Sequence, residues 1–366
     1  MVFLKTAITL FLVAFVLFFG CLGNNAPAVT ATPAASPAIT SSPIPSVASP
    51  APASIPTPSP AASPSPTAFA VLKGVSLSPK SFSSADFNEF MQKTRETGNV
   101  VLWAGDWNEL ASDKGAPAIV EGFMALSSHR YVPVVEAQFF TQSDGKLLRP
   151  LDGANKKIYL DSAAAFAKKY SPPYLGLGIE VNILYEKSPA DFEAFAAFFS
   201  DVYDAVKAVS PQTKVFTVFQ LEKMKGLRGG LFGGTNDGSK AEWSLLEKFP
   251  KADLVAFSTY PGLIYKSPAE IPENYYSEIA LHISKPVAFT EIGWHSAASP
   301  AGWEGSEAKQ AEFVGRFFAL NKGLRPELAV WSFMYDPQAV EPFNSMGLIS
   351  ADGTPKSAWG RWFEEG

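Results

Sequence analysis

Residues that build cross-links and metal sites are scarce in this sequence. Its 366 residues include one cysteine and three histidines that lie far apart along the chain. One cysteine excludes a disulfide framework within the chain and any cysteine-based zinc site. The histidine spacing fits no metal cluster, so we expect no metal site.

Charge is nearly absent from the beginning of the chain. Lys5 is the only charged side chain before Lys73, and residues 73–366 contain 29 basic and 35 acidic residues. The formal charge of −6 on that segment offers no broad attraction to phosphate backbones. Nucleic acid is therefore not an expected partner.

The uncharged beginning predicts an exported protein. After Lys5, residues 7–22 form an apolar run with the form of a secretory signal. The run is short for a membrane span, but residues 1–4 extend it to about 20 residues. We interpret residues 1–22 as either a cleaved signal peptide or an uncleaved membrane anchor.

Cys21 bears on that choice. It follows Gly20 in the stretch LFFGC, which resembles the lipobox of prokaryotic lipoproteins. The resemblance implies that Cys21 is lipidated and that the protein is tethered to the outer face of the cytoplasmic membrane. The alternative is a cysteine buried in an uncleaved anchor.

Residues 23–68 predict a disordered, proline-rich linker. They consist largely of alanine, proline, serine and threonine, and none of them is charged. Such a segment cannot bury enough apolar surface to offset the entropy lost on ordering. Residues 69–366 then form one domain.

Short apolar runs alternate with amphipathic segments throughout residues 69–366. Continuous runs such as VVLWA and LVAFSTY are typical of strands buried on both faces, as in parallel sheets. Eight alternations predict an α/β fold, the (β/α)8 barrel. A doubly wound open sheet is the alternative, but no G-x-G-x-x-G follows the first strand. The predicted strands are 73–77, 99–103, 131–138, 174–180, 214–220, 254–260, 286–291 and 328–334, and the predicted helices include 84–97, 189–209, 307–320 and 356–364.

Two carboxylates end otherwise apolar strands. Glu180 ends the fourth predicted strand and Glu291 the seventh. A carboxylate there is costly unless it is paired, hydrogen-bonded or functional, so each alone also has a structural interpretation. In a barrel the C-terminal strand ends build the active site, and we expect these two side chains to converge. Two converging carboxylates are what glycosidic cleavage needs.

Other polar and aromatic residues fall at or beyond the same strand ends. Flat tryptophan rings suit stacking on sugars, although packing at the barrel rim is the alternative for each. The polar residues are candidate sugar contacts, with a structural role as the alternative. The candidates are Trp103, Trp107, Trp294, Trp331, Tyr260, Asn182, Glu136 and Gln220.

Three short motifs resemble the retaining (β/α)8 glycoside hydrolases. GIEVN is similar to the G-N-E-[IV]-N stretch of arabinogalactan endo-β-1,4-galactanases, FTEIGW to the nucleophile stretch of the same clan, and FSTYP to its strand-six tyrosine-proline. The resemblance implies that Glu180 is the acid/base, Glu291 the nucleophile, Tyr260 its neighbour and Trp331 a sugar platform. In one departure, Ile179 stands where the clan has asparagine.

These patterns predict a surface-anchored retaining endo-glycosidase. It would hydrolyse a β-linked polysaccharide or glycan as a monomer by double displacement, without metal or organic cofactor. Double displacement needs the two carboxyl groups about 5–5.5 Å apart. One alternative is a barrel that binds glycans without cleaving them, which Ile179 favours. The other is a solute-binding lipoprotein, whose hinged lobes a closed barrel lacks.

Overall fold

The computed structural model describes residues 71–113, 115–125, 131–299 and 302–365. The predicted signal or anchor at 1–22, with Cys21, and the predicted linker at 23–68 lie outside the described residues. Among the helices of the described segments, none is long and apolar enough to cross a membrane.

The strands follow the predicted order along the chain. Most of their bounds differ from the predicted ones by one to three residues at either end. The strands are β1 (Leu72–Ser76), β2 (Val100–Asp106), β3 (Val132–Gln138), β4 (Tyr174–Leu177), β5 (Lys214–Phe216), β6 (Val218–Gln220), β7 (Val255–Thr259), β8 (Val287–Ile292) and β9 (Leu328–Trp331).

All strand pairs are parallel, and the sheet order is β5-β4-β3-β2-β1-β9-β8-β7-β6. β5 and β6 are two halves of one predicted strand, interrupted at Thr217. The Thr217 hydroxyl donates to the Gly178 carbonyl at 3.1 Å, and the Thr217 carbonyl accepts from Ala256 N at 3.3 Å. Thr217 therefore links β4 to β7 although it belongs to neither β5 nor β6. The predicted (β/α)8 barrel is confirmed.

Helices cover the outside of the barrel. The Ser83 hydroxyl accepts from Asp86 N and begins the first of them, and Pro189 occupies the first turn of the longest. The α-helices are α1 (Ser84–Thr97), α2 (Ala116–Ala125), α3 (Gly153–Tyr170), α4 (Val181–Lys187), α5 (Pro189–Val209), α6 (Leu221–Met224), α7 (Glu307–Asn321) and α8 (Ser357–Glu364).

Two connections lack the long helix that a regular alternation predicts. After β6, the four-residue α6 is followed by short 3-10 turns, and β7 leads to β8 through 3-10 turns alone. The first connection contains the glycine-rich stretch 226–238, and Pro261 and Pro268 begin turns in the second. Glycine and proline both disfavour continuous helix.

The two faces of each strand enter different layers. Leu102 and Val330 belong to the apolar cluster inside the barrel, and their neighbours Trp103 and Trp331 to the larger cluster between sheet and helices. Both faces are therefore apolar. This is why the strands read as continuous rather than alternating hydrophobic runs.

Candidate active site

A layer of buried polar side chains lies inside the barrel at the C-terminal ends of the strands. Each follows the apolar interior residues of its own strand, and in a closed barrel these ends meet at one face. The layer contains Ser76, Glu136, Glu180, Ser258, Thr290, Glu291 and Ser332.

Glu180 stands in a sharp turn after β4. Gly178 has a φ of 81°, which disfavours any residue with a Cβ, and the strand therefore stops at Leu177. Gly178 N donates to Ala137 O, which joins the turn to β3. Glu180 itself has a φ of 56° and a ψ of 45°. A left-handed glutamate is uncommon, and such conformations cluster at functional sites.

A β-bulge turns Glu291 toward the barrel interior. Phe257 pairs with Phe289, but the next residue, Ser258, pairs with Glu291, so Thr290 is the extra residue. Phe289 faces the helices, and strict alternation would therefore point Glu291 outward as well. Bulges re-orient side chains in this way beside active sites.

Strand β7 joins the two carboxyl groups. Ser258, the sheet partner of Glu291, donates its hydroxyl proton to Glu180 Oε1 at 2.5 Å. Two residues later, the Tyr260 hydroxyl donates to Glu291 Oε2 at 2.5 Å and lies 2.8 Å from the Ser332 hydroxyl. The convergence of Glu180 and Glu291 is therefore built into the sheet.

Both carboxyl groups favour the protonated form more than a free glutamate does. Glu180 is 1% exposed and Glu291 7% exposed. Burial, followed by the charge of Glu291, raises the pKa of Glu180 to about 8. Burial raises the pKa of Glu291 to about 7, and the Tyr260 hydrogen bond opposes that rise. Because a negative charge on one carboxyl group opposes ionisation of the other, the pair holds a proton to higher pH than a free glutamate does.

A third carboxyl, Glu136, lies in the same layer and is 0% exposed. Neither of its oxygens has a hydrogen-bond partner among the described residues. Glu180 Oε2 and the hydroxyls of Ser76 and Thr290 also lack partners within the described segments. Buried polar atoms are rarely left unpaired, and four residues with such atoms at one end of a barrel indicate a binding site.

Several predicted contacts hold the backbone instead. The Asn182 side chain accepts from Gln220 N at 2.8 Å and donates to Gln220 O at 3.1 Å. The Gln220 side chain accepts from Lys223 N at 2.7 Å and donates to Glu222 at 2.5 Å. Glu222 also accepts bonds from Thr259, from the Tyr260 backbone and from Tyr275. These side chains fix the ends of β6 and β7 beneath Tyr260.

The four predicted tryptophan contacts are not brought to the carboxyl groups. Trp107, Trp294 and Trp331 are 0% exposed, Trp103 is 3% exposed, and all four belong to the layer between sheet and helices. The Trp331 ring packs against Trp362, and its N–H donates to Met346 O at 2.8 Å. The interpretation of Trp331 as a sugar platform is corrected, because its position on β9 faces the helices.

A different aromatic group borders the site. Tyr260 belongs to a separate apolar cluster, the mouth cluster, whose half-buried members are Phe232, Trp303 and Phe343. The rings of Tyr260 and Phe343 meet edge to face with centroids 5.5 Å apart. Phe232 and Phe343 lie in long connections where no sequence pattern indicates a function. The mouth cluster consists of Leu231, Phe232, Tyr260, Leu263, Trp303, Phe333, Phe343 and Met346.

Sequence reasoning missed Ser258 as part of the site. Ser258 lies in the motif FSTYP, two residues before Tyr260. Gln138 hydrogen-bonds the backbone on both sides of Ile179, directly before Glu180. Within the described part of the chain, no group of three or more histidine, cysteine, aspartate or glutamate residues is arranged to hold a metal ion.

Comparison with known proteins gives matches in structure and not in sequence. No family model and no curated protein sequence matches this chain. A family 39 glycoside hydrolase from Bacteroides cellulosilyticus superposes with a TM-score of 0.55 at 16% identity, over 79% of this chain and 62% of that one. The exo-β-1,4-mannosidase Op5Man5 from an Opitutaceae bacterium gives 0.58 at 14% identity, over 81% and 59%.

The GH53 catalytic domain from Ignisphaera aggregans gives a TM-score of 0.57 at 14% identity, over 80% of this chain and 95% of that domain. This chain has the fold of the barrel glycoside hydrolases. It spans 62% and 59% of the first two structures, so it corresponds to part of those proteins. The resemblance drawn from the three motifs is confirmed at the level of this fold.

Proposed function

We propose that this protein is a retaining glycoside hydrolase in which Glu180 is the acid/base and Glu291 the nucleophile. The proposal depends on one observation. Ser258 is the sheet partner of Glu291 and also hydrogen-bonds Glu180, so the two carboxyl groups face the same place inside the barrel. Tyr260 donates to Glu291 and stabilises its charge, as a nucleophile requires. Glu180 keeps one oxygen without a partner within the described residues and has a raised pKa, as an acid requires.

The reaction proceeds in two displacements. In the first, a Glu291 oxygen bonds the anomeric carbon, the glycosidic C–O bond breaks, and the Glu180 proton passes to the leaving oxygen. In the second, Glu180, now a carboxylate, takes a proton from water. The water oxygen bonds the anomeric carbon, and the ester bond to Glu291 breaks. Each glutamate returns to its starting form.

We propose a β-linked polysaccharide or glycan as the substrate. The mouth cluster supports this choice, because half-exposed rings such as Phe232, Trp303 and Phe343 stack on the C–H faces of sugars. These rings replace the four buried tryptophans in that role.

The second candidate is a barrel that binds glycans without cleaving them. One observation favours it: Ile179, directly before Glu180, is 1% exposed and packs in the apolar cluster inside the barrel. An apolar side chain at this position donates no hydrogen bond to a sugar hydroxyl, and such bonds contribute several kcal/mol in the transition state of glycoside cleavage.

Hydrolysis assays separate the two candidates. The substrates are 4-nitrophenyl β-D-galactoside, β-D-glucoside and β-D-mannoside, with β-galactan, β-glucan and β-mannan as polymers. We expect turnover that Glu291→Gln reduces to background and that Glu180→Gln reduces by about 10²–10⁴-fold. Glu193→Gln is the matched control, because Glu193 is an exposed carboxylate paired with Lys248 on the barrel exterior. Binding of a polymer without product by the wild type favours the second candidate.

Azide identifies the roles within the pair. In Glu180→Gly, azide should restore turnover of the 4-nitrophenyl glycoside and yield a β-glycosyl azide, because a small anion can replace the missing base. In Glu291→Gly, azide should yield the α-glycosyl azide, because it replaces the nucleophile. The opposite pairing of variants and products would exchange the two assignments.

We also propose that the domain is exported and tethered to the outer face of the cytoplasmic membrane. The support is the sequence before Lys73, namely the LFFGC stretch and the uncharged linker. Labelling with radioactive palmitate in a bacterial host tests it. Lipidation predicts that label enters the full chain and is lost in Cys21→Ala. Membrane-bound protein without label would indicate an uncleaved anchor, and release of unlabelled wild type would contradict both.

A further inference from the structure

Glu136 is a buried acid that the two-carboxylate mechanism does not use. It lies at the interior end of β3, and its sheet partner on β4 is Gly176. A Cβ added at Gly176 would lie 2.9 Å from Glu136 Cγ. Glycine at 176 therefore provides the space that the Glu136 side chain occupies. The carboxyl group is accommodated by the barrel.

The surroundings of Glu136 contain the negative groups Glu291 and Glu180. The Thr290 hydroxyl lies beside Glu136, but not in hydrogen-bond geometry, and that hydroxyl has no partner of its own in the described segments. Burial raises the pKa of Glu136 well above its usual value, the charges of Glu291 and Glu180 raise it further, and the nearby Thr290 hydroxyl opposes that rise.

Comparison with the other buried glutamates shows which one keeps a proton. Glu222 accepts four hydrogen bonds, Glu180 accepts one from Ser258, and Glu291 accepts one from Tyr260. Glu136 accepts none from the described residues. A buried carboxylate that accepts no hydrogen bond is the least stable of the set, so Glu136 favours the neutral form most strongly.

We propose that Glu136 acts as a neutral carboxylic acid that donates a hydrogen bond to one hydroxyl of the sugar bound against Glu291. The inference rests on the proposed glycosidase function and makes Glu136 a specificity-determining residue of that site. A neutral acid adds a donor beside Glu291 without adding a negative charge that would oppose its ionisation. The ligand class is a sugar that presents a free hydroxyl at this position.

Two variants of similar size separate a neutral donor from a carboxylate. Glu136→Gln keeps a hydrogen-bond donor, and Glu136→Leu removes it. With the best of the 4-nitrophenyl glycosides, we expect Glu136→Gln to keep kcat/KM within a few-fold of wild type at neutral pH. Glu136→Leu should lose on the order of 100-fold. The loss should disappear with one monodeoxy analogue of that substrate, the one that lacks the contacted hydroxyl.

Infrared spectroscopy tests the protonation state without turnover. The wild-type spectrum minus that of Glu136→Gln at neutral pH should contain the C=O stretch of a protonated carboxyl group. Absence of that band overturns the inference, and so does equal kcat/KM for the Gln and Leu variants. If the wild type cleaves no glycoside, the proposed function fails, while the infrared result still reports on Glu136. Circular dichroism of both variants identifies any loss of folding.

Discussion

The side chain of Gln138 hydrogen-bonds both the N–H and the C=O of Ile179. Its Nε2 donates to Ile179 O at 3.0 Å, and its Oε1 accepts from Ile179 N at 3.3 Å and from Phe139 N at 3.0 Å. Ile179 lies between Gly178 and Glu180, the two residues with positive φ that orient the candidate acid/base. One amide at the end of β3 therefore supports the turn that presents Glu180.

Removal of that amide should affect catalysis more than binding. Gln138→Leu leaves the N–H and C=O of Ile179 buried without partners, which costs about 1–3 kcal/mol for each group. We expect kcat to fall on the order of 100-fold, because small displacements of catalytic groups have effects of that size, while KM changes little. Gln142→Leu, which removes a buried amide that does not bond Ile179, is the control. Unchanged kcat in Gln138→Leu would contradict the positioning role.

Loss of the Tyr260 hydroxyl should change the pH profile of kcat/KM. The hydroxyl donates to Glu291 and lowers its pKa, so Tyr260→Phe should raise that pKa. The acid limb of kcat/KM then moves to higher pH, and kcat falls on the order of 100-fold. Tyr276→Phe removes a buried hydroxyl that contacts Thr259 and should leave the acid limb in place. A shift of equal size in both variants would contradict the assignment.

Neutralising Glu291 should stabilise the protein at alkaline pH. The pKa of Glu291 is about 7 in the folded chain, against 4.5 as its ordinary value. As pH rises above 4.5, the unfolded chain loses this proton while the folded chain retains it, and stability falls until the pH passes about 7. Glu291→Gln removes that loss. We expect a gain on the order of 3 kcal/mol in the free energy of unfolding at pH 8.

Urea titrations of the wild type and of Glu291→Gln at pH 8 measure this gain, and the same titrations at pH 4 are the control. At pH 4, both chains carry a neutral side chain at 291, and the variant should differ little from the wild type. A gain of equal size at both pH values would mean that the effect comes from packing and not from ionisation.

Trp303 and Trp331 should respond to substitution in opposite ways. Trp303 is half-buried in the mouth cluster, so Trp303→Ala should raise KM for a polymer substrate about tenfold with a small change in Tm. Trp331 is buried against α7 and α8, and Trp331→Phe leaves Met346 O unpaired. That change should lower stability by about 1–3 kcal/mol with KM unchanged. A large KM effect at Trp331 would restore the original interpretation.

Much of the fold can be predicted from the sequence because it depends on local and periodic features. Continuous apolar runs between capped helices identify the barrel strands, and Ser83 and Pro189 mark helix starts that the structure reproduces. Glu180 and Glu291 are identifiable because a carboxylate at the end of an apolar strand carries a desolvation cost that needs an explanation. Their strand numbers then place them at one end of a barrel.

The direction of each side chain depends on contacts between distant strands. Both faces of these strands are apolar, so the sequence does not distinguish the inward side of Leu102 from the outward side of Trp103. For the same reason, the sequence does not show that the four tryptophans face the helices. The bulge at Thr290, which turns Glu291 inward, exists only in the pairing of β8 with β7.

The sequence by itself determined the barrel, the order of its strands and the two glutamates that end them. Only the tertiary structure decided that Ser258 and Tyr260 join those glutamates, that Glu136 is a third acid beside them, and that the half-buried rings next to Tyr260 belong to the mouth cluster. The physical reason is the separation along the chain between the residues that interact. Periodicity and caps act between near neighbours in the chain, whereas register, bulges and burial arise only when distant strands meet.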